Sequence, residues 1–241
     1  MSVWVPRAII VVAVVGIAYS IYAISVGEGG PNTVAYEERG EVQGLIAGIA
    51  QDGARLGEEE APVEIELFTD IRSVPGAEFQ VDVVDPIVEE YVRDGRAQIS
   101  MRHFSFGRTG VTEAAIAATA AGEQGHQWQY AEIVMRNLEN AGPQGIDENF
   151  LKGAAEVTPG LVIDEWDDAF AEELTAQFDD PDYVSAVDRD GELAFEEELP
   201  GEPAMFITGI GGVEKLDGTP SLSEVRAAIE RVDVESADLT D

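Results

Sequence analysis

The sequence predicts an α/β fold: a mixed sheet carrying an all-helical insertion, with one transmembrane helix ahead of it. Three observations lead there. Val63, Ile65 and Leu67 alternate with Glu64 and Glu66, the period-2 signature of a half-buried strand; Ser73-Val74-Pro75-Gly76 breaks that run, and a helix-periodic segment opens at Ala77. Residues 112 to about 197 read as helical almost throughout, between two strand-bearing regions. Ala8 to Val26 is nineteen residues without a charge.

At about 1.5 Å per residue the apolar stretch spans roughly 28 Å, close to the hydrocarbon thickness of a bilayer. Trp4 before it, and Tyr19 and Tyr22 near its far end, suit the membrane interface. A cleavable leader would have a shorter apolar region and a clearer small-residue site than Ala23-Ile24-Ser25. Arg7 precedes the span, while Glu28, Glu37, Glu38 and Glu41 follow it. The expectation is a retained anchor over 1–26, N-terminus cytoplasmic, with the rest on the extracytoplasmic face of the cell membrane. Residues 27–44 then read as a juxtamembrane tether, 45–233 as the folded domain and 234–241 as an acidic tail.

Within the domain, Leu45 to Ala50 is expected to be a first strand, because glycine density argues against a helix and Asp52-Gly53 is a turn signal. Glu58-Glu59-Glu60 reads as a solvated loop. After the central strand, Phe79, Val83, Val84, Ile87, Val88, Tyr91 and Val92 trace one helical face, with Pro86 expected to kink it and Asp94-Gly95 to end it. Ala97 to Ser105 alternates as the next strand. The insertion divides into helical segments near 112–123, 126–139, 147–156, 162–178 and 182–196, with Trp128, Tyr130, Ile133 and Val134 as packing residues. Met205–Thr208 and Val213–Leu216 form a closing hairpin. Ser221 to Val232 is a last helix, with Ser221 as N-cap and Glu224 at the capping-box position.

Lys and Arg number 14 against 48 Asp and Glu, for a formal charge of -34, and the lysines are Lys152 and Lys215 alone. Nucleic acid is excluded as a partner, since phosphate binding needs a basic surface. The carboxylates run along the whole chain, as in the acidic coats of proteins from salt-loving organisms; such a surface repels itself at low ionic strength and is relieved by screening. No P-loop, zinc spacing or dinucleotide fingerprint is present, so no cofactor or metal is expected. Asp179, Asp180, Asp182 and Asp188-Arg189-Asp190-Gly191 lack the twelve-residue spacing of an EF-hand.

Phe68-Thr69-Asp70 followed by Ile71-Arg72-Ser73-Val74-Pro75-Gly76 resembles the DsbA-like branch of the thioredoxin superfamily, in which Phe-x-Asp runs into Cys-x-x-Cys at a helix start. Here Ser73 and Gly76 stand at the two cysteine positions. Gly201-Glu202-Pro203-Ala204-Met205-Phe206-Ile207 is similar to the family's Gly-x-Pro segment, and the Leu56-Gly57 and Ala61-Pro62-Val63 lead-in also fits. The resemblance covers roughly 45 to 232. It implies a thioredoxin-like fold, a cis Glu202-Pro203 bond facing the turn, and a groove between that loop and Ser73–Gly76, with Asp70 and Glu202 beside it.

The chain contains no cysteine. Thiol–disulfide exchange needs an attacking thiolate, so the dithiol activity is missing. Ser73 would need a base to act as nucleophile, and the histidines, His103 and His126, match no pattern beside the turn; it is expected to be an N-cap instead. Asp70 is expected to hydrogen-bond the turn's backbone. Two function classes follow. One is a membrane-anchored binding or accessory module holding a protein partner or the subunits of a membrane complex. The other is a divergent enzyme of isomerase or hydrolase-like, non-redox activity.

Overall fold

The central strand predicted from Val63 extends to Thr69 and lies inside a six-stranded sheet of order β1-β2-β4-β3-β5-β6. The structure is a computed structural model, which describes residues 35–105, 112–142, 145–180 and 183–233. The strands are β1 (Gln51–Asp52), β2 (Arg55–Leu56), β3 (Val63–Thr69), β4 (Ala97–His103), β5 (Ala204–Gly209) and β6 (Gly212–Asp217). β3 and β4 are parallel, with Val63 opposite Ala97 and Thr69 opposite His103; the remaining pairs are antiparallel.

The alternation in β3 sorts its side chains between two cores. Ile65 and Leu67 join Ile99, Met101, Met205 and Ile207 in the large core under the helices. Phe68 turns to the other face and packs with Ala194, Leu199 and Ala204. On that face Glu66 takes two hydrogen bonds from Arg102, at 3.0 and 2.6 Å.

The N-terminal part departs from expectation. Leu45 to Ala50 is not a strand, and the segment expected to be tether up to residue 44 is partly folded: α1 spans Arg39–Ile46. Val42, Leu45 and Ile46 are buried, whereas a Cβ at Gly40 or Gly44 would meet nothing within 4 Å. The apolar face therefore outweighs a propensity cost of about 1 kcal/mol per glycine. Arg93 fastens the helix end by donating to the carbonyls of Ala47 (3.2 Å), Gly44 (3.1 Å) and Leu45 (2.5 Å). The short strands β1 and β2 follow, closing about Gly53.

α2 is one run of helical turns: Val74–Phe79, a π turn Gln80–Val84, Asp85–Ile87 and a second π turn Val88–Val92. Proline lacks the N–H that would bond back one turn and crowds the preceding carbonyl. A wider π turn flanks Pro86 on either side, and the right-handed helical dihedrals continue through Asp85 (φ −57°, ψ −47°).

The insertion is helical as predicted: α3 (Glu113–Gly122), α4 (Gln127–Arg136), α5 (Glu148–Val157), α6 (Ile163–Asp179) and α7 (Ala186–Glu196). α3 is alanine-rich and buried nearly all round, as a helix at the centre of a bundle must be. Two indoles tie the insertion together and to the sheet: Trp128 Nε1 donates to Ala54 O at 2.8 Å and Trp166 Nε1 to Ala117 O at 2.9 Å. α8 (Leu222–Val232) closes the chain with both halves of the Ser221–Glu224 capping box formed. The β5–β6 hairpin rests on its C-terminal end, where Gly211 N–H donates to Val232 O at 2.9 Å; a Cβ on Gly211 would lie 2.5 Å from Arg231 O.

Ala8–Val26 and the tail 234–241 lie outside the described residues. Among the described residues no helix is long and apolar enough to cross a membrane.

Candidate functional site

β3 delivers its last residues to the start of α2, and β5 brings Glu202-Pro203 alongside. Because Phe68 pairs with Ala204, the antiparallel register sets Pro203 and Glu202 next to Thr69 and Asp70. The Glu202–Pro203 bond is cis, as the resemblance implies.

Ser73 has extended dihedrals (φ −85°, ψ 123°) and caps α2: its hydroxyl accepts from Gly76 N–H at 3.2 Å. Pro75 occupies the first turn, where no backbone donor is needed. Val74 is 54% exposed and faces solvent at the mouth of the turn. Gly76 is buried: a Cβ there would lie 3.0 Å from Thr69 Oγ1 and 3.3 Å from the Ser73 Cβ.

Asp70 does hydrogen-bond the turn, accepting from Arg72 N–H at 3.0 Å, and it also pairs with a side chain that sequence reasoning missed. The Arg72 guanidinium grips both of its oxygens, at 2.9 and 2.7 Å, and reaches Ser105 Oγ at 2.7 Å; the Ser105 hydroxyl in turn donates to Asp70. Burial alone would push the Asp70 carboxyl up, but the bonds from Arg72 and Ser105 outweigh it and hold the group below the usual carboxylate range. Asp70 is a satisfied anion.

Glu202 is held differently. Burial raises its affinity for a proton, and hydrogen bonds from the Ser73 hydroxyl and the Asp70 backbone only partly offset this. Its Oε2 is buried without a hydrogen-bond partner, and no ion pair to it is present among the described residues. The Arg72 charge also acts on Glu202, while its guanidinium is bonded to Asp70.

No histidine stands next to Ser73; the group beside its hydroxyl is the Glu202 carboxyl. His103 ends β4, buried, with Nε2 at 3.2 Å from Gln127 Nε2 and Nδ1 unpartnered; burial lowers it to about 4, so the ring is neutral. His126 precedes α4 and packs against Gly160. Two acids of the Asp188-Arg189-Asp190-Gly191 stretch are used in the fold. Asp188 completes the cap of α7 with Ser185, and Asp190 accepts from His103 N–H at 2.9 Å and pairs with Arg102 at 3.4 Å. Among the described residues no group of three or more histidine or acidic side chains is arranged to hold a metal ion.

Below the turn lies a buried polar network that periodicity hides. Glu132 is fully buried, accepting from Gln80 Nε2 at 2.6 Å and from Arg136 Nε at 2.9 Å. Arg136 also pairs with Asp85 and with Glu38 (2.7 Å), joining α4 to α2 and to the lead-in of α1. The available signal was two polar residues five positions apart, Gln80 and Asp85, which interrupt the apolar stripe of α2.

The family described as Thioredoxin matches residues 50–231. Among solved structures, BdbD from Bacillus subtilis in its oxidised form superposes with a TM-score of 0.60 at 18% identity, over 77% of this chain and 97% of that one. Alpha-DsbA1 of Wolbachia pipientis gives 0.59 at 17% identity over 75% and 90%, and Chlamydia trachomatis DsbA gives 0.58 at 14% over 85% and 96%. These neighbours are DsbA-type thioredoxin-fold proteins, and at such identities the likeness is one of fold. No curated protein sequence matches the chain.

Proposed function

The chain belongs to the thioredoxin family and contains no cysteine, and from those two facts we propose that it is a binding or accessory module rather than a dithiol enzyme. The observation that carries the reading is the pairing of an intact scaffold with absent chemistry. A capped helix start and a cis-proline loop stand side by side, with Val74 exposed at the turn, yet the positions read as degenerate redox sites hold a hydroxyl and a hydrogen. A hydroxyl cannot take the thiolate's part in disulfide exchange.

In this reading the groove between Ser73–Gly76 and Glu202-Pro203 holds an extended segment of a protein partner by backbone pairing, with exposed Val74 as an apolar contact. Ala8 to Val26 anchors the module in the cell membrane with the domain extracytoplasmic, which limits the partner to proteins of that membrane or its outer face. The non-redox enzyme reading would take Ser73 as nucleophile and Glu202 as its base; against it, the Ser73 hydroxyl serves as the N-cap acceptor of Gly76 N–H.

The test is a photo-crosslinking residue placed at Val74 in the full chain in its native membrane. It is expected to capture one protein of discrete mass, while the same label at Val162, another exposed valine, does not. Equal capture from both positions contradicts the proposal.

A further inference from the structure

We propose that Arg136 is a charge latch: it fastens the lead-in and α1 to the helical insertion, and couples their release to the ionisation of Asp85 on α2, the helix that starts at Ser73. The N-terminal piece of the domain then unclasps as pH rises. The latch does not depend on what the Ser73 turn binds.

The lead-in is strapped down by its backbone. Buried Asn137 meets both polar groups of Glu37, accepting from its N–H at 2.7 Å and donating to its carbonyl at 3.3 Å. Asn140 donates to Ala35 O at 3.0 Å, and the Tyr36 hydroxyl to Phe150 O at 2.5 Å. Those bonds are neutral. The ionic clasp is Arg136, at 2.7 Å from Glu38 and 3.9 Å from Glu41. Glu38 also holds a left-handed φ of 60°, which a residue with a Cβ keeps only while its surroundings impose it, and its carbonyl starts α1 by accepting from Glu41 and Val42 N–H.

The same guanidinium serves Asp85 and Glu132. Gln80, neutral, donates to both acids, at 3.4 and 2.6 Å. No second cation is free to help: Arg93 pairs with Glu89 on α2, and on α8, Arg226 is spent on Glu90 and Arg231 on Glu214. While the lead-in is seated, burial and the Glu132 carboxylate push Asp85 up to about 8. Release withdraws Glu38 and Glu41 from the cluster, returns Arg136 to the inner pair and admits water. Each of the three lowers the affinity of Asp85 for its proton. The coupling is reciprocal, so loss of that proton favours release. The released state binds fewer protons, and opening therefore rises with pH until about 8 and levels off above it.

Since the chain has no cysteine, a single introduced thiol reports one position. Three variants of the full chain are labelled with a thiol reagent between pH 6 and 9: Val42→Cys, buried in α1; Val63→Cys, buried in β3; and Val162→Cys, exposed. Dividing each buried rate by the Val162→Cys rate at the same pH removes the thiolate fraction and leaves the opening equilibrium. The Val42→Cys ratio is expected to rise at least about tenfold from pH 6 to 8, the change that one unit of proton affinity on Asp85 supplies, and to flatten above. The Val63→Cys ratio is expected to stay well below it throughout. Adding Asp85→Asn is expected to abolish the rise, and adding Glu38→Gln, which cuts the clasp, to raise opening at pH 6 and reduce the gain with pH. A flat Val42→Cys ratio overturns the latch, as does a rise that survives Asp85→Asn or that Glu38→Gln leaves at full size. Equal ratios at Val42→Cys and Val63→Cys overturn it too, because the opening is then global unfolding.

Discussion

The carboxyls of Asp85 and Glu132 meet across one guanidinium, that of Arg136, inside the core beneath the Ser73 turn. Arg136 is 7% exposed and also serves Glu38, with Glu41 at 3.9 Å. One cation shared among that many acids cannot keep both buried carboxyls charged. Burial and the Glu132 carboxylate push Asp85 up to about 8, so the pair holds a proton at neutral pH.

This gives a pH dependence with a definite sign. An acid whose folded value lies above its ordinary 3.8 binds more protons in the native state than in the unfolded one between those limits. Its contribution is present at low pH and is lost as pH rises toward 8. Asp85→Asn removes the titration while keeping an acceptor for Arg136. The variant is expected to lose less stability than wild type between pH 5 and 8.5, and to exceed it at pH 8.5 by about 1–3 kcal/mol. Denaturant unfolding across that range measures it, and parallel slopes for the two proteins contradict the shared proton.

Salt supplies a second prediction. With 48 acids against 14 basic residues, self-repulsion should destabilise the domain at low ionic strength. The melting temperature is expected to rise steadily from about 10 mM to 1 M sodium chloride, the range over which the screening length falls from about 30 to 3 Å. A flat profile would separate the charge from any adaptation to brine.

The sequence made the framework legible because its signals were local. The alternation of Val63–Leu67, the helical segments of the insertion, the Ser221–Glu224 box and the closing hairpin each carry their own periodicity or cap, and each formed. What stayed hidden depends on distant partners. α1 looked too glycine-rich to be a helix because the pocket that buries Val42, Leu45 and Ile46 comes from elsewhere in the chain. Pro86 lies between two π turns, Gln80–Val84 and Val88–Val92, which have no sequence signature. Arg72 and Ser105 lie 33 residues apart, so their joint hold on Asp70 follows from the parallel register of β3 and β4. Glu202 beside Ser73 was readable only through the family resemblance.

The central claim is that this chain keeps a thioredoxin-family site and has lost only its chemistry. The double substitution Ser73→Cys and Gly76→Cys tests it most directly. A Cβ on Gly76 would lie 3.3 Å from that of Ser73, slightly inside the usual 3.5–4.5 Å of a disulfide, so a shift of a few tenths of an ångström, shared with Thr69, suffices. The measurement is free-thiol titration of the folded variant after mild oxidation, with insulin reduction assayed beside wild type. The account predicts that the variant loses both thiols to one intramolecular disulfide and that wild type reduces no insulin above buffer. Two free thiols in a folded variant, or turnover of a disulfide substrate by wild type, would contradict it.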